Sequence, residues 1–306
     1  MAIIGLGYQQ YGEWRDARTF PMPGRLIGVG DHRLHIWCIG TGSPTVLMLA
    51  GAGGPSVSSF DLQMAISKTT RVCSYDRAGL GWSDPPKQPK GLPQIITDLQ
   101  RLLSLSGEKG PYVLVPESFG GIVALTLANR APDQVAGIVA VDASEPESWH
   151  RLSGPMRASG KMRDTIYQVG WRFGLVRFLI DSQAPTWVAD LSPNVRRQFT
   201  AVWSRPMANF ANDWVDAYEQ TSIADLPKST PGLLNDKPLI VISHGRNSGF
   251  LSNEFEASWP QAQEKWTKLS TNSDHLIAKD NGHMIAQENP QMVADAVAKV
   301  VTDLRR

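Results

Sequence analysis

Cysteine is scarce in this 306-residue chain: only Cys38 and Cys73 are present. Two cysteines cannot build a disulfide scaffold, and they form no metal-ligand spacing with neighbouring histidines or acids. Both sit in segments read as strands, so two readings stay open: buried free thiols, or a cross-strand bridge if those strands are neighbours. Charge is also sparse. Charged residues make up 19% and the formal net charge is +1, which excludes an electrostatic nucleic-acid or membrane-surface binder. No apolar run reaches the roughly 18 residues of a membrane-spanning helix. The opening Met1–Gly7 has neither a basic leader nor a cleavage site. It reads as the clipped end of an N-terminal anchor, the one route to membrane contact, or as a docked or frayed terminus.

Most of what is present alternates between two patterns. Gly5 to Pro23 is polar and irregular and reads as an arm over residues 1–23. Arg25–Val29 and Arg33–Ile39 are expected to form a hairpin around Gly30-Asp-His32. Arg71–Tyr75, Pro238–Ile242 and Asp274–Ala278 read as strands, and Thr45–Ala50, Tyr112–Val115 and Val135–Val141 are short apolar runs. Buried strands of a parallel sheet read this way. Between them lie helical patterns, with Leu92–Leu105 and Pro290–Leu304 the most periodic. The alternation predicts an α/β fold: a mostly parallel eight-stranded sheet with helices on both faces.

From Ser144 to Asn235 the strand pattern lapses. Helical stretches such as Lys161–Ile180 and Pro193–Met207 are separated by breaks rich in Pro and Ser. Five of the ten Trp fall there: Trp149, Trp171, Trp187, Trp203 and Trp214. Residues 144–235 are therefore expected to form a helical insertion, placed as a lid, between core segments 24–143 and 236–306. It lies at the strand C-termini, where such sheets bind ligands. Core packing is the plainer use for its tryptophans, a pocket wall the other.

Val113-Leu-Val-Pro-Glu-Ser-Phe-Gly-Gly-Ile122 reads as a strand, a sharp corner with Ser118 at its tip, and a helix. This is the layout of a nucleophile elbow; an ordinary helix N-cap is the alternative. Two more chemically apt residues follow strand ends. Asp142 closes Val135–Val141, and His283 lies in the loop after the last strand. Parallel strands bring all three to one sheet edge, in the chain order Ser, Asp, His. A serine hydroxyl is a weak nucleophile until an imidazole takes its proton, and a buried carboxylate fixes that imidazole's tautomer. Glu254 is the alternative acid, because the strand before the last ends in Ser243-His-Gly-Arg-Asn-Ser248 without a carboxylate. His244 in that loop reads as a structural histidine or a second ligand-facing residue. Backbone donors for an oxyanion are expected at Phe119 and at Ala52, in the glycine-rich loop Gly51–Pro55. That loop lacks the Lys-Ser/Thr of a phosphate-binding P-loop. No cofactor or metal is implied.

Leu34–Val46, Val72–Asp84, Val113–Gly121, Val139–Ser144 and Asn281–His283 together resemble the α/β-hydrolase superfamily, in particular its bacterial serine hydrolases and esterases. The resemblance spans residues 20–145 and 235–306. It implies an acyl-enzyme mechanism using Ser118, His283 and Asp142, with Ala52 and Phe119 as oxyanion donors. It also implies a small ester substrate with an apolar acyl or alcohol group. An N-terminal anchor and cysteines matching Cys38 and Cys73 are common among such relatives, and their usual strand order favours a bridge. Serine at the elbow argues against the epoxide hydrolases and dehalogenases of this fold, which use aspartate there. Amidase or peptidase activity, a lyase on the same fold, and a catalytically silent binding module are the alternatives. Two departures stand out: Ala50 replaces the histidine of a His-Gly pair, and Pro116-Glu117 replaces Gly-His or Gly-Ala before the serine. Glu117 is expected either to face the pocket or to bond within the elbow.

Overall fold

In the computed structural model, which describes residues 2–147, 166–183, 186–206, 213–247 and 253–306, the strands form one eight-stranded sheet in the order β1-β2-β4-β3-β5-β6-β7-β8. β1 (Arg25–Gly28), β2 (Arg33–Ile39) and β4 (Val72–Tyr75) pair antiparallel. β3 (Val46–Leu49), β5 (Tyr112–Pro116), β6 (Val135–Val141), β7 (Leu239–His244) and β8 (Ser273–Ala278) continue the sheet in parallel from β4.

The apolar runs are explained by double coverage. Successive side chains of a strand point to opposite faces, and each face has its own core. Leu47, Leu49, Leu114, Ile138 and Val241 pack with α3 (Leu92–Ser106) and α4 (Gly120–Arg130). Val46, Met48, Val113, Val115, Val139, Ile240 and Ile242 pack on the other face with α2 (Phe60–Ile66) and the helix Pro290–Leu304. Cys38 and Cys73 face each other across β2 and β4 and are disulfide-bonded.

Between β6 and β7 the described elements are helical. Part of the expected helix Lys161–Ile180 lies outside the described residues, as does Trp149. From 166 the chain is helical, turns at Gly174 (φ 70°), and resumes as Leu175–Gln183. Trp171 and Trp214 are buried, which supports the core reading for those two. The helix Pro193–Trp203 sends Val195, Phe199 and Val202 against Val57, Phe60 and Trp82, tying the inserted segment to the chain after β3.

The N-terminal segment differs from expectation. Ala2–Thr19 is a helix, α1, not an irregular arm. Its inward positions Gly5, Gln9, Gly12 and Asp16 follow helical spacing but are small or polar, so apolar periodicity could not reveal them. Gln9 donates to the Ser204 carbonyl at 2.8 Å, and Asp16 accepts from buried Arg177 at 2.5 Å. A β-carbon at Gly5 would stand 2.5 Å from the Phe173 carbonyl oxygen, so glycine permits the approach. Among the described residues, no helix is long and apolar enough to cross a membrane.

Candidate active site

The corner after β5 is held by backbone bonds on both sides. Glu117 N–H donates to Leu49 O at 3.0 Å, and Ser118 N–H to Val141 O at 3.3 Å. Ser118 adopts φ 49°, uncommon for a non-glycine residue. The two glycines that follow have a steric reason. A β-carbon at Gly120 would lie 2.0 Å from Leu49 O, and one at Gly121 2.4 Å from Ser144 O. Ser118 stays partly exposed between buried Glu117 and Phe119. Pro116 fits because β5–β6 pairing stops at Leu114 and returns only as the single bridge Glu117–Val141. The proline, lacking an N–H, occupies that gap while still pairing with Leu49 on the β3 side.

Asp142 forms a second corner at the end of β6, with φ 44°. The two corners are joined, since Ser144 N–H donates to Ser118 O at 2.8 Å. His283 comes from the loop after β8, where Gly282 N–H is held by the Glu288 carboxylate at 2.8 Å. His283 Nδ1 lies 2.6 Å from Asp142 Oδ2, and its Nε2 lies 3.0 Å from Ser118 Oγ. The network requires Nδ1–H to donate to the carboxylate, leaving Nε2 to accept from the serine hydroxyl. Ser118, His283 and Asp142 are thus brought together as the sequence predicts. Glu254 lies in the first turn of the helix Asn253–Thr267, its side chain outside the described ones.

Asp142 is fully buried and richly bonded. Its Oδ1 accepts from Trp259 Nε1 at 2.7 Å and from His244 N–H at 3.1 Å, and its Oδ2 from His244 Nδ1 at 2.7 Å. Burial alone would raise its pKa, but the bonds from His244 and His283 outweigh that and hold it at about 2. His244 Nε2 in turn lies 2.9 Å from Glu256 Oε2. Burial disfavours the His244 cation, yet Asp142 and Glu256 together raise its pKa above the ordinary imidazole value.

Glu117 is buried beneath the elbow with neutral partners. Its Oε2 accepts from Gln287 Nε2 at 3.3 Å and from Ser59 Oγ at 3.5 Å. Burial pushes its pKa up.

The loop carrying Ala52 adjoins the elbow: a β-carbon at Gly51 would stand 3.3 Å from Ser118 Cβ. Phe119 caps the start of α4. Arg77 grips the loop from behind, donating to Ala50 O at 2.6 Å and Gly51 O at 2.5 Å. Its Nε also donates to Asp213 Oδ2 at 2.9 Å, and Asp213 Oδ1 accepts from Gly53 N–H at 2.9 Å. Neighbouring Asp76 accepts from Ser56 N–H, Trp82 N–H and His35. Asp76 and Arg77 thereby hold the chain from Ala50 to Ser56.

Sequence reasoning missed Trp259, Glu256 and Asp213. The first two carried a signal. Glu256, Trp259, Gln263 and Trp266 recur at helical spacing, and the last three each donate to the segment 142–144. Asp213 had none, because its partner Arg77 is 136 positions away.

Comparison with known proteins agrees with this architecture. Residues 44–290 match the family model of the alpha/beta hydrolase fold. The chain belongs to the α/β hydrolase family. Among curated relatives, it is 26% identical over 161 residues to the uncharacterized protein YbdG of Bacillus subtilis, covering 51% of this chain and 50% of that one. It is also 26% identical over 294 residues to the uncharacterized protein C23C11.06c of Schizosaccharomyces pombe, covering 81% and 50%. The chain thus spans about half the length of these relatives. Similar solved structures include epoxide hydrolase CorEH (TM-score 0.66, 19% identity, 92% of this chain and 99% of that one). The enol-lactonase of Burkholderia xenovorans is another (0.63, 20%, 92% and 99%). A thermophilic esterase of Thermogutta terrifontis is a third (0.64, 20%, 90% and 95%). At these identities the likeness shows the fold.

Proposed function

We propose that the protein is a serine hydrolase that cleaves carboxylic esters through an acyl-enzyme. The hydrogen-bonded chain from Ser118 through His283 to Asp142 carries this reading. Ser118 Oγ attacks the ester carbonyl while His283 Nε2 takes its proton. Asp142 holds the tautomer and stabilises the imidazolium. The negative charge on the carbonyl oxygen meets the N–H groups of Ala52 and Phe119. His283 returns the proton to the departing alcohol, then activates water for deacylation. Residues 144–235 act as a lid over the strand ends, and a small ester with an apolar acyl or alcohol group is the expected substrate. A hydroxyl at the elbow favours acyl transfer over epoxide opening, whatever the similarity to an epoxide hydrolase.

The test is hydrolysis of p-nitrophenyl butyrate. Ser118→Ala is expected to abolish turnover in a folded protein, and Asp142→Asn to lower kcat by about 10⁴. A fluorophosphonate adduct mapped to Ser118 distinguishes an enzyme from a silent binding module. Retained turnover in Ser118→Ala overturns the assignment. A series of esters, lactones, carbamates and amides of matched acyl length then defines the substrate class.

A further inference from the structure

Asp142 serves two histidines. His283 Nδ1 and His244 Nδ1 reach the same oxygen, Oδ2, at 2.6 and 2.7 Å. Both must carry a proton there, since a carboxylate only accepts. The rings differ at their far nitrogens. His283 Nε2 faces a hydroxyl, which can donate, so His283 is complete as a neutral imidazole. His244 Nε2 faces Glu256 Oε2 at 2.9 Å, and an ionised carboxylate there requires a second N–H. Two ionised carboxylates would hold His244 as an imidazolium between them, and ring nitrogens of the two histidines lie within 4.8 Å of one another.

We propose that His244 is a positioning residue that, as a cation clamped by Glu256, sets the pH at which His283 is free to act as a base. The inference rests on the serine-hydrolase reading for its catalytic consequence but not for its physical content. A cation beside Asp142 offsets the carboxylate that would otherwise favour a proton on His283. The form of His283 competent to accept from Ser118 is the neutral one, which a neighbouring cation favours. The end of β7 thus supplies a countercharge, while the carboxylate comes from the end of β6.

Other charges around the pair, among the described residues, come from several neighbouring elements. Glu117 lies beneath the elbow and interacts with His283. Arg246, after β7, pairs with Glu288 on the His283 loop at 3.1 Å. Glu145 is engaged by Lys265 at 3.6 Å, and Lys279 and Asp280 are exposed. Of these groups, His244 alone shares an oxygen with His283.

The experiment follows the six histidines by NMR in protein labelled at the imidazole Cε1, with His283→Gln and His244→Asn assigning the two resonances. His244→Asn retains an N–H donor for Asp142 but removes the charge. It is expected to raise the midpoint of His283 titration on the order of one pH unit. The acid limb of kcat/KM for p-nitrophenyl butyrate should move upward with it, with the loss concentrated below neutral pH. In Glu256→Gln, a milder change, the His244 resonance is expected to titrate at lower pH than in the parent protein. An unmoved or lowered His283 midpoint in His244→Asn overturns the proposal, and an unmoved His244 midpoint in Glu256→Gln overturns the clamp. Failure of the nucleophile assignment would show separately, as turnover in Ser118→Ala, and leaves the titration readable.

Discussion

Glu117 stands one residue before the candidate nucleophile, and its surroundings give it an inverted pH dependence. Its pKa is raised in the folded protein, chiefly by burial. The folded state therefore binds that proton more tightly than the unfolded chain. The stabilisation is complete below the ordinary carboxylate pKa and is lost as pH rises through the raised folded value. Glu117→Gln keeps the hydrogen-bonding shape and removes the cost of ionisation. The variant is expected to gain on the parent protein as pH rises, with a Tm difference of roughly 1–3 °C on the alkaline side. Parallel thermal melts at acid and alkaline pH check this, and a difference constant with pH would count against it. Sequence reading left two placements open for this side chain, because they differ only in which neighbours surround it. Ser59 and Gln287, which select between them, are 58 and 170 positions away. The meeting of Ser118, Asp142 and His283 was legible for the opposite reason. Each follows a strand end, and parallel pairing alone brings strand ends together.

At the scale of elements, the central strands β3, β5 and β6 were readable because burial on both faces leaves unbroken apolar runs. The polar contacts that helices make were not. The helix Asn253–Thr267 presents Glu256, Trp259, Gln263 and Trp266 toward the Asp142 corner, and all four use a polar atom there. Its periodicity is visible, but its task is not, since apolar content cannot report what an indole N–H bonds. Trp259→Phe preserves most of the packing and deletes one donor to Asp142 Oδ1. A hydrogen bond to a charged group contributes about 1.5–3 kcal/mol, so kcat/KM is expected to fall by roughly ten- to a hundredfold, measured on the same ester. α1 makes the same point more severely: its contact face is Gly5, Gln9, Gly12 and Asp16, three glycines in all lower its helical propensity, and only its partner Arg177 reveals the pattern.

For the molecule as a whole, Arg77 and Asp213 join the sheet, the loop after β3 and the inserted helical segment through one buried pair. Asp213→Asn retains an acceptor for Gly53 N–H but leaves the Arg77 cation uncompensated in a buried site. Breaking such a pair costs about 3–5 kcal/mol, so urea unfolding should shift to lower concentration. Ester hydrolysis should fall with it, because the same guanidinium holds the Ala52 loop. Full stability in this variant would mean that the inserted segment is anchored elsewhere. Nothing in the local sequence around Asp213 announces this connection; it exists only once the chain is closed.

The corners at Ser118 and Asp142 are near neighbours in the chain, buttressed by adjacent strands, whereas His283 lies 141 and 165 positions from its two partners. During synthesis Ser118 and the nearby Asp142 emerge early and can settle together as β5 and β6 pair. The proton acceptor emerges much later. A nascent chain still lacking residue 283 would display the hydroxyl but leave it inert toward esters. On the serine-hydrolase reading, reactivity would switch on only when the C-terminal part of the sheet docks, so that the final steps of folding would also time the first turnover.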